Sequence, residues 1–597
     1  MRRKKKLYRL LTLGAAVLLI GGGVVTYWLL ARRDRFQGNT FVSGQLVPQD
    51  ALVAASISTN SEQWQQLRKY GTPESKAALA KQLNQLKQEL LTDNGYSYEK
   101  DIQPWLGETA MIAYLPSVAP VAPLKKEDNK QGKEPAWFKP PDLIVLPIDN
   151  QAQARRLLAK AKSGKTKQLV ERNYRGISII ETPVEPQKEN SGQFAASLLG
   201  RFLVVTKNPQ ITERVIDTYK GKPSIDATSG YAEKLSKIQV SQPFAQFYLN
   251  MPAVLAAAAA NSRDELSVEQ LATDQEMQGV VTTLTLEPEG MRFQSVSWLK
   301  PNSRKIYRLK NVTSNLPRRL PANTLLMLSG SNLAQLWQEF VQSSQSNPLT
   351  PLKPAAISGG LKATLDLDLE EDLLPWMGGE FSLALLPASE KAFALEDNQP
   401  PSPLGAALVL MLKASSRSRA EATFADLDEV MATRYQFRIE ETKIDGQPVV
   451  SWTSPLGGVN ATHGWLEDKV AFFTLGTPII SAIIPEPEAI LTQNPLFQTT
   501  VPTQPSPNNG QFYLDVERTI NNSNLNSPQL PPYIQLLAKA INTIGLTVAT
   551  SDERSTRLEL FVQLKTTPKT SPSPSSSPSS NSAPDPQQPR QQTLPPP

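Results

Sequence analysis

Hydrophobic positions follow three patterns along this chain. From Leu10 to Leu30, "LLTLGAAVLLIGGGVVTYWLL", they run without a single charge. At about 1.5 Å per residue in a helix such a run spans roughly 30 Å, the depth of a bilayer core, and predicts a transmembrane helix. Further on, short runs alternate with polar residues in period two, as in "VVTTLTLEPEGMRFQSVSW" (Val280 to Trp298). These predict strands, and the Glu287 to Gly290 stretch predicts the turn of a hairpin. A third pattern, Leu79, Leu83, Leu86 and Leu90 in "PESKAALAKQLNQLKQELL", keeps the three- and four-residue spacing of an amphipathic helix.

The strand and helix patterns recur. "LVPQDALVAASISTNSEQWQQL" matches "RLPANTLLMLSGSNLAQLWQEF", pairing Pro48 with Pro321 and Trp64 with Trp337, both 273 residues apart. "DIQPWLGE" matches "DLLPWMGG", pairing Pro104, Trp105 and Gly107 with Pro375, Trp376 and Gly378 at a spacing of 271. "FAQFYLN" matches "NGQFYLD" at 265. Matches in one order at nearly constant spacing point to a duplicated unit. Within a unit, short-turn strands interrupted by a few helices predict an α+β fold, a mostly antiparallel sheet with helices on one face. The expected layout is a basic segment 1–9, an anchor 10–30, a tether 31–45, unit 46–304, a linker 305–318, a second unit 319–565 and a tail 566–597. The tail holds ten prolines and many serines, a composition that cannot bury a core and predicts disorder. Proline-rich loops at Ser117–Pro141 and Ala388–Pro403 take the same place in both units and predict exposed excursions.

Charge places the anchor. Six basic residues precede the apolar run, against Arg32, Arg33 and Arg35 after it, so the N-terminus is expected in the cytoplasm and the bulk in the periplasm or a lumen. "WLLARRDRF" offers no small-residue cleavage site, which favours an uncleaved signal-anchor. Residues 1–35 carry nine Lys/Arg and one Asp, a net of +8; taken from the formal total of +6 this leaves −2 for the other 562 residues. The exported part is near neutral, and no nucleic-acid partner is expected. With no cysteine in the chain, disulfides, thiolate metal sites and a cysteine nucleophile are excluded.

Candidate chemistry is sparse. His463 is the sole histidine, so any triad or imidazole metal site would rest on it alone. "AKAKSGKTK" imitates the end of a phosphate-binding loop but has Ala159 where the leading glycine belongs, and reads as a solvated helix end. Asp366, Asp368 and Glu370 in "LDLDLEED" are expected on one side of a strand, as a solvated face in preference to a calcium site. The Pro-Trp-x-Gly turn reads as structural: proline fixes the turn, tryptophan caps the core, and Gly107 and Gly378 supply a backbone geometry that other residues resist. No catalytic residue, cofactor or metal is assigned.

The anchor, the "LVPQDALVAASIST" opening with its following Trp, the "GTPES" after it and the "DIQPWLGE" turn together resemble a family of cyanobacterial membrane-anchored proteins, the domain of unknown function DUF 3352. The resemblance covers roughly residues 45–565 and implies a photosynthetic bacterium, with the exported part at the plasma or thylakoid membrane. It implies no activity and no catalytic residues.

The function expected from these readings is a non-enzymatic, membrane-tethered binding or scaffold protein of the envelope. The alternative is a carrier of lipid or another apolar ligand in a cleft between sheet and helices. A third reading is a hydrolase using Glu108 and Glu380, beside the two Trp turns.

Overall fold

The computed structural model describes residues 43–566, apart from 91–95, 117–140, 164–168, 184–193, 239, 261–275, 347–352, 389–405, 456–459, 468, 477–478 and 522–531. The 10–30 run, nearly all of both proline-rich loops and the tail after Thr566 lie outside these residues. Among the described residues no helix is long and apolar enough to cross a membrane.

The fold is α+β, built on one antiparallel sheet. Ten strands lie before residue 300: β1 (Val53–Ser58), β2 (Thr109–Tyr114), β3 (Leu143–Pro147), β4 (Val170–Tyr174), β5 (Ile177–Glu181), β6 (Ala195–Leu199), β7 (Phe202–Thr206), β8 (Ala245–Asn250), β9 (Met277–Glu287) and β10 (Gly290–Leu299). Ten follow: β11 (Leu326–Gly330), β12 (Phe381–Pro387), β13 (Ala406–Lys413), β14 (Arg438–Ile444), β15 (Gln447–Thr453), β16 (Asn460–Glu467), β17 (Val470–Gly476), β18 (Gly510–Asp515), β19 (Ile541–Asp552) and β20 (Ser555–Leu564).

Pairing from one edge runs β4-β5-β6-β7-β3-β2-β1-β8-β9-β10. From the other edge it runs β14-β15-β16-β17-β13-β12-β11-β18-β19-β20. The two orders are the same, and they meet where β10 pairs with β20 from Gly290–Gln563 to Trp298–Ser555. The expected hairpin β9–β10 and its later equivalent β19–β20 form with tight two-residue turns. At the seam Arg292 donates 2.7 Å to Glu559 and also bonds Glu287, which neutralises the nearly buried Glu559.

The expectation of helices on one face is corrected. Trp64 of the Ser61–Leu67 helix and Ala154 of the Gln151–Ser163 helix cover one face of the first ten strands. Ile211, Val215 and Ile216 of the Pro209–Tyr219 helix cover the other. In the later strands Phe424 and Leu427 of the Arg417–Thr433 helix lie on the first face, and Phe497 of the Pro495–Thr500 helix on the second. The reason is visible in strands such as "TAMIAY", where consecutive Met111 and Ile112 are both buried. Unbroken apolar runs mark strands covered on both faces, while alternation marks one wet face.

The 305–318 stretch is held against the second hairpin. Tyr307 donates its N–H to Glu553, and the Asn311 side chain exchanges two hydrogen bonds with Thr550, at 2.7 and 2.9 Å.

Candidate functional site

The paired tryptophan turns are built alike. Each follows a single π-helical turn, Tyr98–Ile102 or Leu369–Leu373. Asp101 accepts the Ser97 N–H at 2.7 Å, and Asp372 accepts the Asp368 N–H at the same distance. The side chains of Ser97 and Asp368 cap the turn in return. The Trp105 ring is 1% exposed and donates Nε1–H to the Asp101 carbonyl at 2.6 Å; Trp376, 3% exposed, donates to the Asp372 carbonyl at 3.1 Å. Pro104 and Pro375 precede these rings in both turns. In both copies the indole N–H and the turn carboxylate find partners within the turn itself, and the ring is buried, which makes the motif a core element.

Two details differ from expectation. Neither Gly107 nor Gly378 has a positive φ. At Gly107 a side chain would meet Asp149 and Pro147 at 2.9 and 3.2 Å, whereas at Gly378 its nearest neighbour is Ser415 at 3.4 Å. Close approach calls for glycine at the first position, and neither cause operates at the second. Likewise Asp366, Asp368 and Glu370 do not share a strand. Asp366, at φ 58°, ends the Pro354–Leu365 helix, and Asp368 caps the following turn. The helix end at Asp366 and the side-chain cap of Asp368 outcompete strand formation.

The remaining chemical candidates are structural in their surroundings. His463 is buried, with Nε2 at 2.8 Å from Asp428 Oδ1 and its ring stacked on Phe424 at 4.5 Å. Trp452 Nε1 donates to the same Asp428 oxygen at 2.5 Å, so the cluster ties the strands to the Arg417–Thr433 helix. No hydroxyl bonds to His463 among the described residues. Glu380 accepts the Asn315 N–H at 2.8 Å and lies 3.5 Å from Lys413 Nζ. Glu108 stands just before β2 and Glu380 just before β12, with eight strands between them. At nearly 5 Å per strand that is about 40 Å along the sheet, against the ~5–10 Å that paired catalytic carboxylates need. The helix-end lysine motif reaches into residues 164–168, outside those described. Among the described residues no group of three or more metal-ligating side chains is arranged to hold an ion.

What the fold does leave open is an apolar face. Ala55 on β1 lies opposite Ile112 on β2 and Phe247 on β8, and Ile112 lies opposite Ile144 on β3. All four are buried, beneath Trp64, Leu67 and Tyr98. In the later strands the same places are held by Leu328 on β11, Leu383 on β12, Phe512 on β18 and Leu410 on β13. Leu328 is 37% exposed, although its strand is paired on both sides, and the other three are half-buried. Leu546 on β19, opposite Phe512, extends the surface.

The cover over this face is thin. Trp64 donates Nε1–H to Ser58 O at 2.8 Å and packs on Phe244 at 4.8 Å. Its counterpart Trp337, on the Leu333–Ser346 helix, is only partly buried, and among the described residues its Nε1 has no hydrogen-bond partner. Leu336 on that helix is exposed. The Pro354–Leu365 helix has no buried side chain, and its Gly359 and Gly360 face open space. Two mid-helix glycines weaken a helix by about 1 kcal/mol each relative to alanine. None of the leucines on this face was singled out from the sequence.

The chain belongs to the family described as Protein of unknown function (DUF3352), whose model matches residues 12–564. No curated protein matches it at a significant level. Among solved structures, crystal form III of TP0453 is similar over 46% of this chain and 83% of that one, at 10% identity and a TM-score of 0.22.

Proposed function

We propose that this protein is a non-enzymatic, membrane-tethered binder of an apolar, acyl-chain ligand, seated on the open face formed by Leu328, Leu383, Leu410 and Phe512. The observation that carries the reading is the contrast between the two ends of the sheet. Equivalent strand positions are sealed at one end and left half-exposed at the other, under two helices that bury little. A soluble domain covers a central strand's apolar face unless something else does so, and such faces mark ligand or partner sites. An anchor at residues 10–30 would hold the domain beside a bilayer, the source of acyl chains.

The same reading includes an origin in two tandem copies of one unit. It is supported by the matched strand order, the matched tryptophan turns and the sequence matches at spacings of 265 to 273. One copy then serves as a packed support and the other as the binding half.

The test is native mass spectrometry of the full chain, extracted gently from its own membranes. A discrete added mass of lipid size is expected, reduced in Leu328→Asp and retained in Ala55→Ser. A bare chain under conditions that preserve other lipid complexes would overturn the reading.

A further inference from the structure

Resting on that reading, we propose that the ligand carries a phosphate head group, held in a cationic cavity at the rim of the open face. The cavity measures about 360 Å³ and lies at the end of the strands that carry the leucines. Ser331 follows β11 directly, Lys413 closes β13 and Glu380 precedes β12. Leu328 and Leu410 each sit three residues inward from Ser331 and Lys413, about 10 Å along their strands. That odd offset turns Lys413 to the face opposite Leu410, but Asn332 and Gln335 carry the cavity round the strand ends to the Leu333–Ser346 helix, which lies over the leucine face. An amphiphile whose head fills it can therefore lay its first carbons along that helix onto the leucines.

Charge selects the head. Arg308, Lys310 and Lys413 line the cavity against the single carboxylate of Glu380, a net of two positive charges. Lys413 already faces Glu380 at 3.5 Å, while among the described residues neither Arg308 nor Lys310 is in an ion pair. A phosphomonoester carries about −1.5 to −2 at neutral pH, which this excess balances, whereas a carboxylate leaves one cation uncompensated. The arginine fork also suits phosphate oxygens. Two neutral donors stand by. Ser331 lines the cavity, and among the described residues its Oγ has no hydrogen-bond partner. Asn332 opens the next helix, accepting the Gln335 N–H at 2.8 Å. Arg308 and Lys310 belong to the extended segment tied to the β19–β20 turn, so the cations sit on an ordered support.

The experiment titrates the full chain in detergent with phosphatidic acid, with diacylglycerol of the same chains and with inorganic phosphate, read by native mass spectrometry. Arg308→Ser/Lys310→Ser is expected to weaken phosphatidic acid at least tenfold and to leave diacylglycerol unchanged. Glu380→Gln, which keeps an acceptor for Asn315, is expected to tighten phosphatidic acid several-fold. Equal loss for both lipids, or no loss for either, overturns the head-group assignment while leaving the apolar face intact. Inorganic phosphate binding as tightly as phosphatidic acid makes the cavity a free-anion site and overturns the assignment too. If neither lipid binds the unaltered chain, the functional reading itself fails and takes this inference with it.

Discussion

Ala55 and Leu328 hold the same place in the pairing order of the sheet, each on a central strand between two antiparallel neighbours, yet Ala55 is 3% exposed and Leu328 37%. The smaller residue is sealed and the larger one is open. Overpacking a filled core costs about 1–3 kcal/mol, while trimming a half-exposed leucine costs about 1 kcal/mol or less. Ala55→Leu is therefore expected to lower the thermal midpoint clearly and Leu328→Ala to leave it nearly unchanged. Calorimetry of the two variants checks the asymmetry directly.

The two tryptophan turns are expected to matter alike for stability. Trp105→Ala and Trp376→Ala each empty a buried ring site, at a cost of roughly 3–5 kcal/mol. Trp105→Phe keeps ring area but leaves the Asp101 carbonyl without its indole donor, at about 1–3 kcal/mol. Chemical denaturation of the three variants should give that order. A large effect on ligand binding with no loss of stability would instead make the motif a binding element.

At the seam, Arg292→Ala leaves the nearly buried Glu559 without its charge partner. Discounted for the partial exposure of Arg292, the expected loss is roughly 3 kcal/mol, and Glu559→Gln in the same chain should recover part of it. A double-mutant cycle measures this coupling.

Acid is expected to loosen the tie between the second hairpin and the Tyr231–Ser236 helix. Burial pushes the Asp552 carboxyl up, but the Ser555 hydroxyl, the Arg554 N–H and the Lys234 and Lys237 ammonium groups outweigh it and hold it at about 2. Its ordinary value is 3.8. The folded state thus favours the ionised form, so the stabilisation is present above about pH 4 and lost as pH falls towards 2. Asp552→Asn should lower stability at neutral pH and flatten its pH dependence between those values. Thermal midpoints across that range, with and without the substitution, decide it.

The architecture was largely legible in the residues. Identities such as Trp64 with Trp337 and Gln246-Phe247 with Gln511-Phe512 fall on strands and helices at matching places in the pairing order, and the Glu287 to Gly290 turn forms where expected. Covering on two faces is encoded in the unbroken apolar runs of β2 and β3, whereas short-turn strands interrupted by a few helices pointed to one covered face. The open surface was written in the differences between the halves, not in their likenesses. Leu328 stands in the pairing place that Ala55 holds, and the Leu333–Ser346 helix over it fully buries no side chain among the described residues. Whether an added leucine is packed or left open depends on the neighbouring layer, and no local pattern encodes that.

The most direct test uses the full chain in bilayers containing a photoactivatable acyl lipid, followed by peptide mapping of the crosslinks. Labels are expected on the peptides carrying Leu328, Leu383 and Phe512, and not on those carrying Ala55, Ile112 and Phe247. Equal labelling of both sets, or labelling confined to residues 10–30, would contradict an acyl-chain site on the second half of the sheet.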